Sequence, residues 1–256
     1  GYGTYYDDVH GDLRVTNLLL TNNLLERNVV VDRIVGSGSV NVDLIDMFGR
    51  PSSNHKFDYN LNLAYSKTIA KDFTFVPSFI QSTTNYLSKA DETLTEGYRN
   101  YSTALVENTL TYDGTFGRNH VNMLVGQTYE HELFHTVSGS GVNMPEPYFL
   151  QIGNAAETSA TSPESEHKLA SYIGRINYDF DAKYLLSVTA RRDGSSRLSP
   201  DIRWEWFPSV SAGWRIDRED FFPVSDNLIN LFKIRGSYGV LGNENIGEYQ
   251  YMAVMS

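Results

Sequence analysis

Apolar and polar residues alternate along much of this chain, most regularly from position 57 to position 65. The odd positions there are Phe, Tyr and Leu, whereas most of the even positions are Asp or Asn. Because successive side chains of a β-strand point to opposite faces, this pattern predicts a strand with one apolar and one polar face. The same alternation predicts strands at 172–180, 186–191, 209–216 and 232–240, and less regular ones at 99–112 and 119–137.

The predicted connections alternate between short turns and long loops. Short turns are expected at Ala70–Asp72, Asp113–Arg118 and Asp181–Ala182, and long polar loops near 84–98, 138–169 and 193–205. This alternation is typical of an outer-membrane β-barrel, in which short turns face the periplasm and long loops face outside. The connection at 217–230 has an intermediate length and fits less well. The favoured fold class is all-β: an antiparallel hairpin array that is part of a transmembrane β-barrel.

A soluble β-sandwich that binds carbohydrate is the alternative, because its strands alternate in the same way while the apolar face packs on a second sheet. Predicted strands of about ten residues or more suit a tilted membrane span better than the shorter strands of most soluble sheets. Aromatic residues near the strand ends fit either the girdles of a barrel or ordinary β-propensity. The direction of the apolar face distinguishes the two folds, since it points outward in a membrane barrel and inward in a sandwich.

Residues 57–256 are expected to form one incomplete domain of barrel strands, with short periplasmic turns and long extracellular loops. Residues 1–56 are harder to assign, and they are expected to contain early barrel strands or a loop, with short strands near 28–35 and 40–47. The chain begins with Gly1-Tyr2 rather than with an initiator Met or a basic and apolar signal region. This start is expected for the inside of a longer protein or for a processed end.

Composition narrows the class of protein. The chain has 256 residues, of which 41% are hydrophobic, which is enough for a packed structure and excludes wholesale disorder. The 31 acidic residues outweigh the 21 basic ones, for a net charge of −10, so that nucleic acid is not expected as a partner. The absence of cysteine excludes a disulfide, a thiolate zinc site and a cysteine nucleophile. No apolar run approaches the roughly 18 to 20 residues of a spanning helix.

Two short motifs raise the question of catalysis. His131-Glu132-Leu133-Phe134-His135 matches H-E-x-x-H, in which two His one helical turn apart bind zinc. The motif follows a β-type run, and on a strand the two His would lie about 13 Å apart, too far to share one metal ion. The Ser residues of Asp193-Gly194-Ser195-Ser196-Arg197 have no His nearby in sequence and no strand-turn-helix elbow around them. We therefore expect no catalytic, metal or cofactor site and no enzyme.

A series of motifs between positions 171 and 247 is highly specific. It comprises Ser171-Tyr172-Ile173-Gly174-Arg175-Ile176-Asn177-Tyr178, Lys183-Tyr184-Leu185-Leu186, Arg191-Arg192-Asp193-Gly194-Ser195-Ser196-Arg197, Arg203-Trp204, Phe207-Pro208-Ser209-Val210-Ser211-Ala212-Gly213-Trp214-Arg215-Ile216, Ile234-Arg235-Gly236-Ser237-Tyr238-Gly239 and Gly242-Asn243-Glu244-Asn245-Ile246-Gly247. In this order and spacing the motifs resemble the later barrel strands of the SusC/RagA-like TonB-dependent outer-membrane transporters of Bacteroidetes. A weaker match extends upstream through Glu107–Tyr112 and Thr115–Gly117, while Leu198 and Glu205-Trp206 depart from the usual residues of the family.

The resemblance implies part of a large plugged barrel of about 22 strands. It also implies a place in the outer membrane of a Gram-negative bacterium, in contact with outer-membrane lipid. The implied partners are a SusD-like surface lipoprotein and TonB, and the implied cargo is an oligosaccharide or a peptide taken up as a nutrient. No TonB box, plug domain or terminal barrel strand is recognisable, so the resemblance implies an internal piece of a longer transporter.

The alternation also assigns charged residues to the barrel interior. If Phe232, Ile234 and Tyr238 face lipid, the residues between them face the lumen, where charge is tolerated. Basic residues on that side are candidates for the lining of a solute path, although lumen charges commonly pair with one another or with a plug. The candidates are Arg175, Arg191, Arg215, Lys233 and Arg235.

Overall fold

The computed structural model describes most of the chain: residues 25–47, 54–77, 79–80, 88–89, 91–145, 149–222, 229, 231–243, 246–250 and 252. Nearly all of its regular structure is β-strand. The strands are β1 (Glu26–Asp43), β2 (His55–Val76), β3 (Phe79–Ile80), β4 (Ser88–Lys89), β5 (Thr93–Phe116), β6 (Asn119–Val142), β7 (Glu157–Thr161), β8 (Glu164–Phe180), β9 (Tyr184–Ser195), β10 (Trp204–Arg215) and β11 (Lys233–Gly239). A four-residue helix, α1 (Leu44–Met47), and two 3-10 turns, Ile152–Asn154 and Ile216–Arg218, are the other described elements.

Nine of the strands form one sheet. Its hydrogen-bonded order is β1-β2-β5-β6-β8-β9-β10-β11, and β7 pairs with β6 beside this path. The pairings from β8 through β11 are antiparallel, and β3 and β4 form a separate two-stranded ribbon. Each long strand lies next to its predecessor among the long strands of the chain, which is the succession of hairpins that the alternation predicts.

The described residues fall into two compact units. The first comprises the described residues of 1–34, 67–102 and 133–165, and the second those of 35–66, 103–132 and 166–256. The first unit has a small apolar core of Phe75, Leu94 and Met144, against which Phe73, Leu150, Ile152 and Ala155 pack. The second unit contains nearly all of β8 and the whole of β9, β10 and β11. Most large apolar side chains of these four strands are exposed.

The turn predicted at Asp181–Ala182 lies at residues 181–183, which join β8 to β9. The turn predicted at Asp113–Arg118 is shorter than predicted, because β5 continues to Phe116 and only Gly117-Arg118 joins it to β6. Gly117, Asp181 and Ala182 have positive φ angles of 62°, 58° and 52°. Tight antiparallel hairpins favour such backbone angles because their twist then matches that of the flanking strands.

The turn predicted at Ala70–Asp72 is wrong, because β2 continues through it from His55 to Val76. Ala70 is buried. Both carboxylate oxygens of Asp72 accept hydrogen bonds from Arg99 on β5, at 2.9 and 2.8 Å. Small and charged residues that favour a turn in the sequence are compatible with a strand here, because the neighbouring strand supplies the partner for the charge.

The predicted long loops are shorter than expected. β6 extends to Val142 and β8 begins at Glu164, so the loop at 138–169 contracts to 143–163 and contains β7, while the loop near 193–205 contracts to 196–203. Gly141, which favours a loop in the sequence, permits close packing in β6: a Cβ atom on Gly141 would lie 2.6 Å from the Cβ of Ala155. In the predicted loop 84–98, β5 already begins at Thr93.

In the early region the sequence predicts short strands near 28–35 and 40–47. The structure instead has one continuous strand, β1, followed by α1. Asp43 caps α1 by accepting hydrogen bonds from the backbone N–H groups of Ile45 and Asp46, at 2.9 and 3.1 Å. Residues 1–24 and 48–53 of the early region lie outside the described residues. So do 84–87 and 90, 146–148, and 223–228 and 230, in three of the predicted connections, and Glu244-Asn245 in the last motif.

Candidate functional site: the two faces of the sheet

The register of β8 through β11 determines which side chains share a face. Arg175 lies opposite Thr189, Thr189 opposite Ser209, and Ser209 opposite Gly239. Residues directly opposite each other in an antiparallel sheet point to the same side, and side chains alternate along each strand. All odd-numbered residues of these strands therefore lie on one face and all even-numbered residues on the other.

The odd-numbered face is mainly polar. Leu169, Ile173, Leu185 and Phe207 are its large apolar members. All five basic residues predicted for the barrel interior lie on this face. The polar members are Ser171, Arg175, Asn177, Asp179, Ser187, Thr189, Arg191, Asp193, Glu205, Ser209, Ser211, Arg215, Lys233, Arg235 and Ser237.

A chain of hydrogen-bonded side chains crosses four strands on this polar face. The hydroxyl of Ser187 donates to Oδ1 of Asn177 at 2.7 Å. The amide nitrogen of Asn177 donates to Oδ1 of Asn122 at 3.3 Å, and that of Asn122 donates to Oδ2 of Asp113 at 3.0 Å. The polar groups of β5, β6, β8 and β9 thus satisfy one another across the sheet, which holds this face in one arrangement.

The five predicted basic residues differ in their partners. Nε of Arg191 donates to Asp193 at 2.7 Å, and Arg215 forms a two-pronged pair with Asp217 at 3.0 and 2.5 Å. Arg175 donates to the hydroxyl of Thr189 at 3.3 Å. Among the described residues, an adjacent carboxylate therefore compensates the charge of two members of this set, Arg191 and Arg215.

Lys233 and Arg235 form no ion pair with another described residue. They lie opposite Arg215 and Gly213 on β10, and they line a concavity of about 750 Å³. Asp179 is the only acidic residue of its lining. The other polar residues around this concavity are His120, Asn177, Ser187, Ser211 and Ser237. The polar face therefore presents uncompensated positive charge next to neutral hydrogen-bonding groups.

The even-numbered face is apolar, and no second sheet covers it within the described residues. Tyr238 is 74% exposed, Trp206 58% and Ile234 54%. Other exposed side chains on this face are Tyr172, Ile176, Tyr184, Leu186, Val188, Trp204, Val210 and Trp214. Soluble proteins rarely expose an apolar surface of this extent, so the face requires an apolar environment. The apolar side of the alternation is therefore exposed, as a membrane barrel requires, whereas in a sandwich it would be packed on a second sheet.

Aromatic residues concentrate at the two ends of this apolar face. Tyr172, Trp204 and Trp206 lie at one end, beside the connection 196–203, and Phe180, Tyr184 and Trp214 lie at the other, beside the turn 181–183. Aliphatic residues such as Ile176, Val188 and Val210 lie between them. Along β9, Tyr184 and Arg192 are separated by about 26 Å at 3.3 Å per residue. On strands tilted by about 35–45° this length corresponds to a height of about 20 Å, which is comparable with the apolar band of about 25 Å between the aromatic girdles of outer-membrane barrels.

Polar contacts fix the aromatic end beside the turn 181–183. Glu219 accepts hydrogen bonds from the hydroxyl of Tyr184 at 2.7 Å and from Nε1 of Trp214 at 2.9 Å, and Nζ of Lys183 lies 3.5 Å away. The Tyr184 hydroxyl, followed by the Trp214 indole, lowers the pKa of Glu219 from its ordinary value. Asp181 pairs with Arg118, and this hydrogen bond lowers the pKa of Asp181.

The H-E-x-x-H motif lies on β6, as the sequence predicts, and its His residues have separate partners. Nε2 of His131 lies 2.7 Å from Glu166, and Nε2 of His135 lies 3.2 Å from the hydroxyl of Ser162. In the described part of the chain, no group of three or more His, Asp or Glu residues is arranged to hold a metal ion. The zinc-protease geometry is therefore not formed by this motif.

The structure brings together one group that the sequence does not reveal. Nε2 of His167 lies 3.4 Å from the hydroxyl of Ser195, and its Nδ1 lies 3.3 Å from Glu132. This order is that of a hydrolase triad, but Ser195 is only 4% exposed and its hydroxyl also accepts the backbone N–H of Arg197. The group links β6, β8 and β9. No sequence signal identifies it, because its members are 28 and 35 residues apart.

These observations define a class of protein: an antiparallel hairpin array with an exposed apolar band on one face and a polar opposite face, as in the wall of a β-barrel. None of the helices among the described residues has the length and apolar character that a membrane crossing needs. No protein-family model matches the chain.

Two curated proteins show what the chain is similar to. It is 36% identical over 162 residues to the TonB-dependent receptor P3 of Formosa agariphila, covering 62% of this chain and 16% of that protein. It is 34% identical over 137 residues to the TonB-dependent receptor SusC of Bacteroides thetaiotaomicron, covering 54% and 13%. The resemblance that the motifs indicate is therefore confirmed: over these 137 to 162 residues the chain is similar to TonB-dependent receptors. It spans about a sixth or less of the length of these relatives.

Solved structures show the same fold. The RagAB peptide transporter superposes with a TM-score of 0.73 at 18% identity, covering 91% of this chain and 25% of that chain. The RagAB peptide importer in the open-open state gives a TM-score of 0.74 at the same identity and coverage. The predicted fold class, part of a large transmembrane β-barrel, is confirmed by this likeness.

Proposed function

We propose that this chain is a run of neighbouring strands in the wall of a TonB-dependent importer in the outer membrane of a Gram-negative bacterium. The observation that carries the proposal is the exposed apolar face, which extends about 26 Å along the strands between two aromatic ends and has a polar face on its other side. A protein surface of this kind is stable when lipid covers the apolar side and water or other protein covers the polar side. The relatives among TonB-dependent receptors support the same conclusion.

The proposed activity is the import of a nutrient by gated binding rather than catalysis. In this proposal a SusD-like surface lipoprotein delivers an oligosaccharide or a peptide to the barrel. TonB supplies energy through a plug in the rest of the protein. The names of two relatives support this choice, since one is SusC and another is described as a peptide transporter. The buried Ser195 and the strand-bound His131 and His135 give no support to an enzyme.

We further propose that the polar face lines the path of the solute. Arg175, Arg191, Arg215, Lys233 and Arg235 would all face this path, but their roles would differ. Arg191 and Arg215 are compensated by Asp193 and Asp217, and such pairs mainly hold structure. Lys233 and Arg235 retain their charge at the concavity, so they are the strongest candidates for direct contact with solute.

The orientation follows from the connections. Residues 57–256 would form barrel strands whose short turns at 117–118 and 181–183 face the periplasm. The connections 77–92, 143–163 and 196–203 would face outside. The early residues up to 56 would add β1 to the same wall. The carbohydrate-binding sandwich loses its support, because no second sheet packs on the apolar face within the described residues.

The first experiment locates the natural gene product. An antibody against a peptide of residues 149–163 is used to probe outer-membrane and soluble fractions of the source bacterium on a denaturing gel. We expect a band several times heavier than the 28.9 kDa of this chain, confined to the outer membrane. A soluble band near 28.9 kDa would contradict the proposal.

A second experiment tests the solute path. The natural gene product is produced with Lys233→Gln and Arg235→Gln together, and growth is measured on the glycan or peptide that the wild type imports. We expect slower uptake at an unchanged amount of protein in the outer membrane. Arg191→Gln is the matched control, because its charge is already compensated by Asp193. Equal uptake by the double variant and the wild type would remove Lys233 and Arg235 from the path.

A further inference from the structure

Arg192 is a cation on the apolar face of the sheet. It lies directly opposite Tyr172 on β8 and Trp206 on β10, so its side chain points to the side that the proposed function assigns to lipid. The five basic residues considered for the interior lie on the other face. Among the described residues of the even-numbered face of β8 through β11, the only other Lys or Arg is Lys168, at the start of β8. A charge in this place requires a specific partner or access to the lipid headgroups.

Aromatic side chains hold the Arg192 guanidinium in place. Its central carbon lies 5.2 Å from the ring centre of Trp204 and 5.6 Å from that of Trp206. Both distances are within the range of a cation–π contact. The guanidinium forms no ion pair with another described residue, so its five N–H donors are not directed to a carboxylate of this part of the chain.

The aromatic side chains around Arg192 also pack against other parts of the sheet. Trp204 stacks on Tyr172, with ring centres 5.8 Å apart and planes inclined by 28°. Trp204 also lies over Gly194, where a Cβ atom would come within 2.7 Å of the indole. The absence of a side chain at Gly194 thus allows the indole to lie against the backbone. We name Tyr172, Arg192, Trp204 and Trp206 the Arg192 cluster.

The position of the Arg192 cluster identifies the chemistry of its ligand. It forms the aromatic end of the apolar face beside the connection 196–203, about 26 Å along β9 from Tyr184. Aromatic ends of this kind lie at the level of the lipid headgroups. The anionic groups at that level are lipid phosphates, which a guanidinium binds through paired N–H donors.

We propose that the Arg192 cluster binds a phosphate group of an outer-leaflet lipid, with Arg192 as the phosphate ligand and Trp204 and Trp206 as the supports that hold it against the hydrocarbon boundary. This inference rests on the proposed function, because it requires the apolar face to meet lipid. It goes beyond transport, since it assigns a specific lipid contact to the outer surface. The proposed ligand is a membrane lipid, and the test below distinguishes it from free phosphate.

The test measures lipid binding by the natural gene product in detergent. Wild type and Arg192→Gln are titrated with diphosphoryl lipid A, and bound lipid is counted by native mass spectrometry. Removing one cation near a charged headgroup is expected to weaken binding about fivefold. Arg175→Gln is the matched control, because Arg175 lies on the polar face and makes one hydrogen bond, to Thr189. Resistance of the barrel to unfolding in dodecyl sulfate confirms that each variant is folded.

Each outcome of this test either supports or overturns the inference. Selective weakening by Arg192→Gln supports the inference, and equal binding by Arg192→Gln and wild type overturns it. Equal weakening by Arg175→Gln means that attraction is unspecific, which also overturns it. If inorganic phosphate at millimolar concentration displaces the lipid, the site is one for free anions and the lipid assignment fails. Membrane fractionation of the wild type separates these results from failure of the proposed function, because a soluble wild type would contradict that function itself.

Discussion

At the scale of single residues, glycines in this sheet have unequal roles, although all of them interrupt the sequence pattern in the same way. Gly194 and Gly174 both lie on the apolar face. A Cβ atom on Gly194 would lie 2.7 Å from Trp204, whereas no heavy atom lies within 4 Å of the corresponding point on Gly174. The difference comes from the neighbouring strand, and the sequence around each glycine does not contain it.

We expect Gly194→Ala to destabilise the protein by about 1–3 kcal/mol, because the indole of Trp204 must move away from the backbone. The unfolding temperature of the detergent-solubilised natural gene product, measured by its mobility shift on a gel, checks this. Gly174→Ala is the control and should cause no loss, since its methyl group enters open space and alanine restricts the unfolded chain. Equal losses in the two variants would contradict the explanation.

The pair of Arg215 and Asp217 predicts a response to acid. The guanidinium of Arg215 lowers the pKa of Asp217 from its ordinary value of 3.8 to about 2. A carboxyl group whose pKa is lowered by folding contributes stability above its ordinary pKa, and this contribution is lost as the pH falls through the folded value. The contribution of Asp217 is therefore complete at neutral pH and disappears between about pH 4 and about pH 2.

We expect Asp217→Asn to lower the unfolding temperature at neutral pH and to make it depend less on pH in that acidic range. Unfolding of the natural gene product in detergent, followed by tryptophan fluorescence from about pH 7 to about pH 2, measures both effects. Asp220→Asn is a suitable control, because the Asp220 side chain is fully exposed and lies 3.8 Å from Lys183. An acid profile of Asp217→Asn that parallels the wild type would refute the assignment.

At the scale of the elements, the sequence pattern predicts that the strands exist but not how far they extend. The alternation predicts the presence of β8 through β11, because each of these strands has one apolar and one polar face, but β8, β9 and β10 begin earlier than predicted. It fails at Ala70–Asp72 and at 138–142, where β2 and β6 continue through residues that favour turns. Hydrogen bonds from Arg99 to Asp72 and packing against Gly141 explain these continuations, and both involve residues distant in the chain.

The proposed orientation of the hairpins leads to a labelling prediction. Asp201 lies in the connection 196–203, and Asp220 follows β10 at the opposite end of the strands. We expect a membrane-impermeant maleimide to label Asp201→Cys in intact cells, and to label Asp220→Cys after the outer membrane has been permeabilised. This chain contains no cysteine, so it contributes no background. The reverse pattern of labelling would invert the proposed orientation.

At the scale of the whole molecule, the sheet has two open edges. β1 pairs with β2 only, and β11 pairs with β10 only, among the described strands. Unpaired strand edges attract other strands, and here they adjoin a large exposed apolar face. In the proposed barrel, strands from the rest of the protein cover both edges and lipid covers the apolar face.

We therefore expect residues 1–256 produced alone to aggregate, and the natural gene product to remain dispersed in the same detergent. Size-exclusion chromatography of both proteins, refolded side by side, makes the comparison. Deleting residues 233–256 removes the edge strand β11. We expect this variant to aggregate as well, because β10 then becomes an equally open edge. A dispersed, folded product from residues 1–256 alone would contradict the need for further strands.

The sequence by itself determined the all-β class and the two-faced character of the strands, because side-chain direction along a strand depends only on the alternation of residues. It also contained the motifs that the relatives share. The tertiary structure decided that the apolar face is exposed, that Arg175, Arg191, Arg215, Lys233 and Arg235 share the other face, and which of their charges are compensated. It also decided where glycine permits close packing and that Arg192 lies between two indoles. These features depend on register between strands, which brings together residues far apart in the chain.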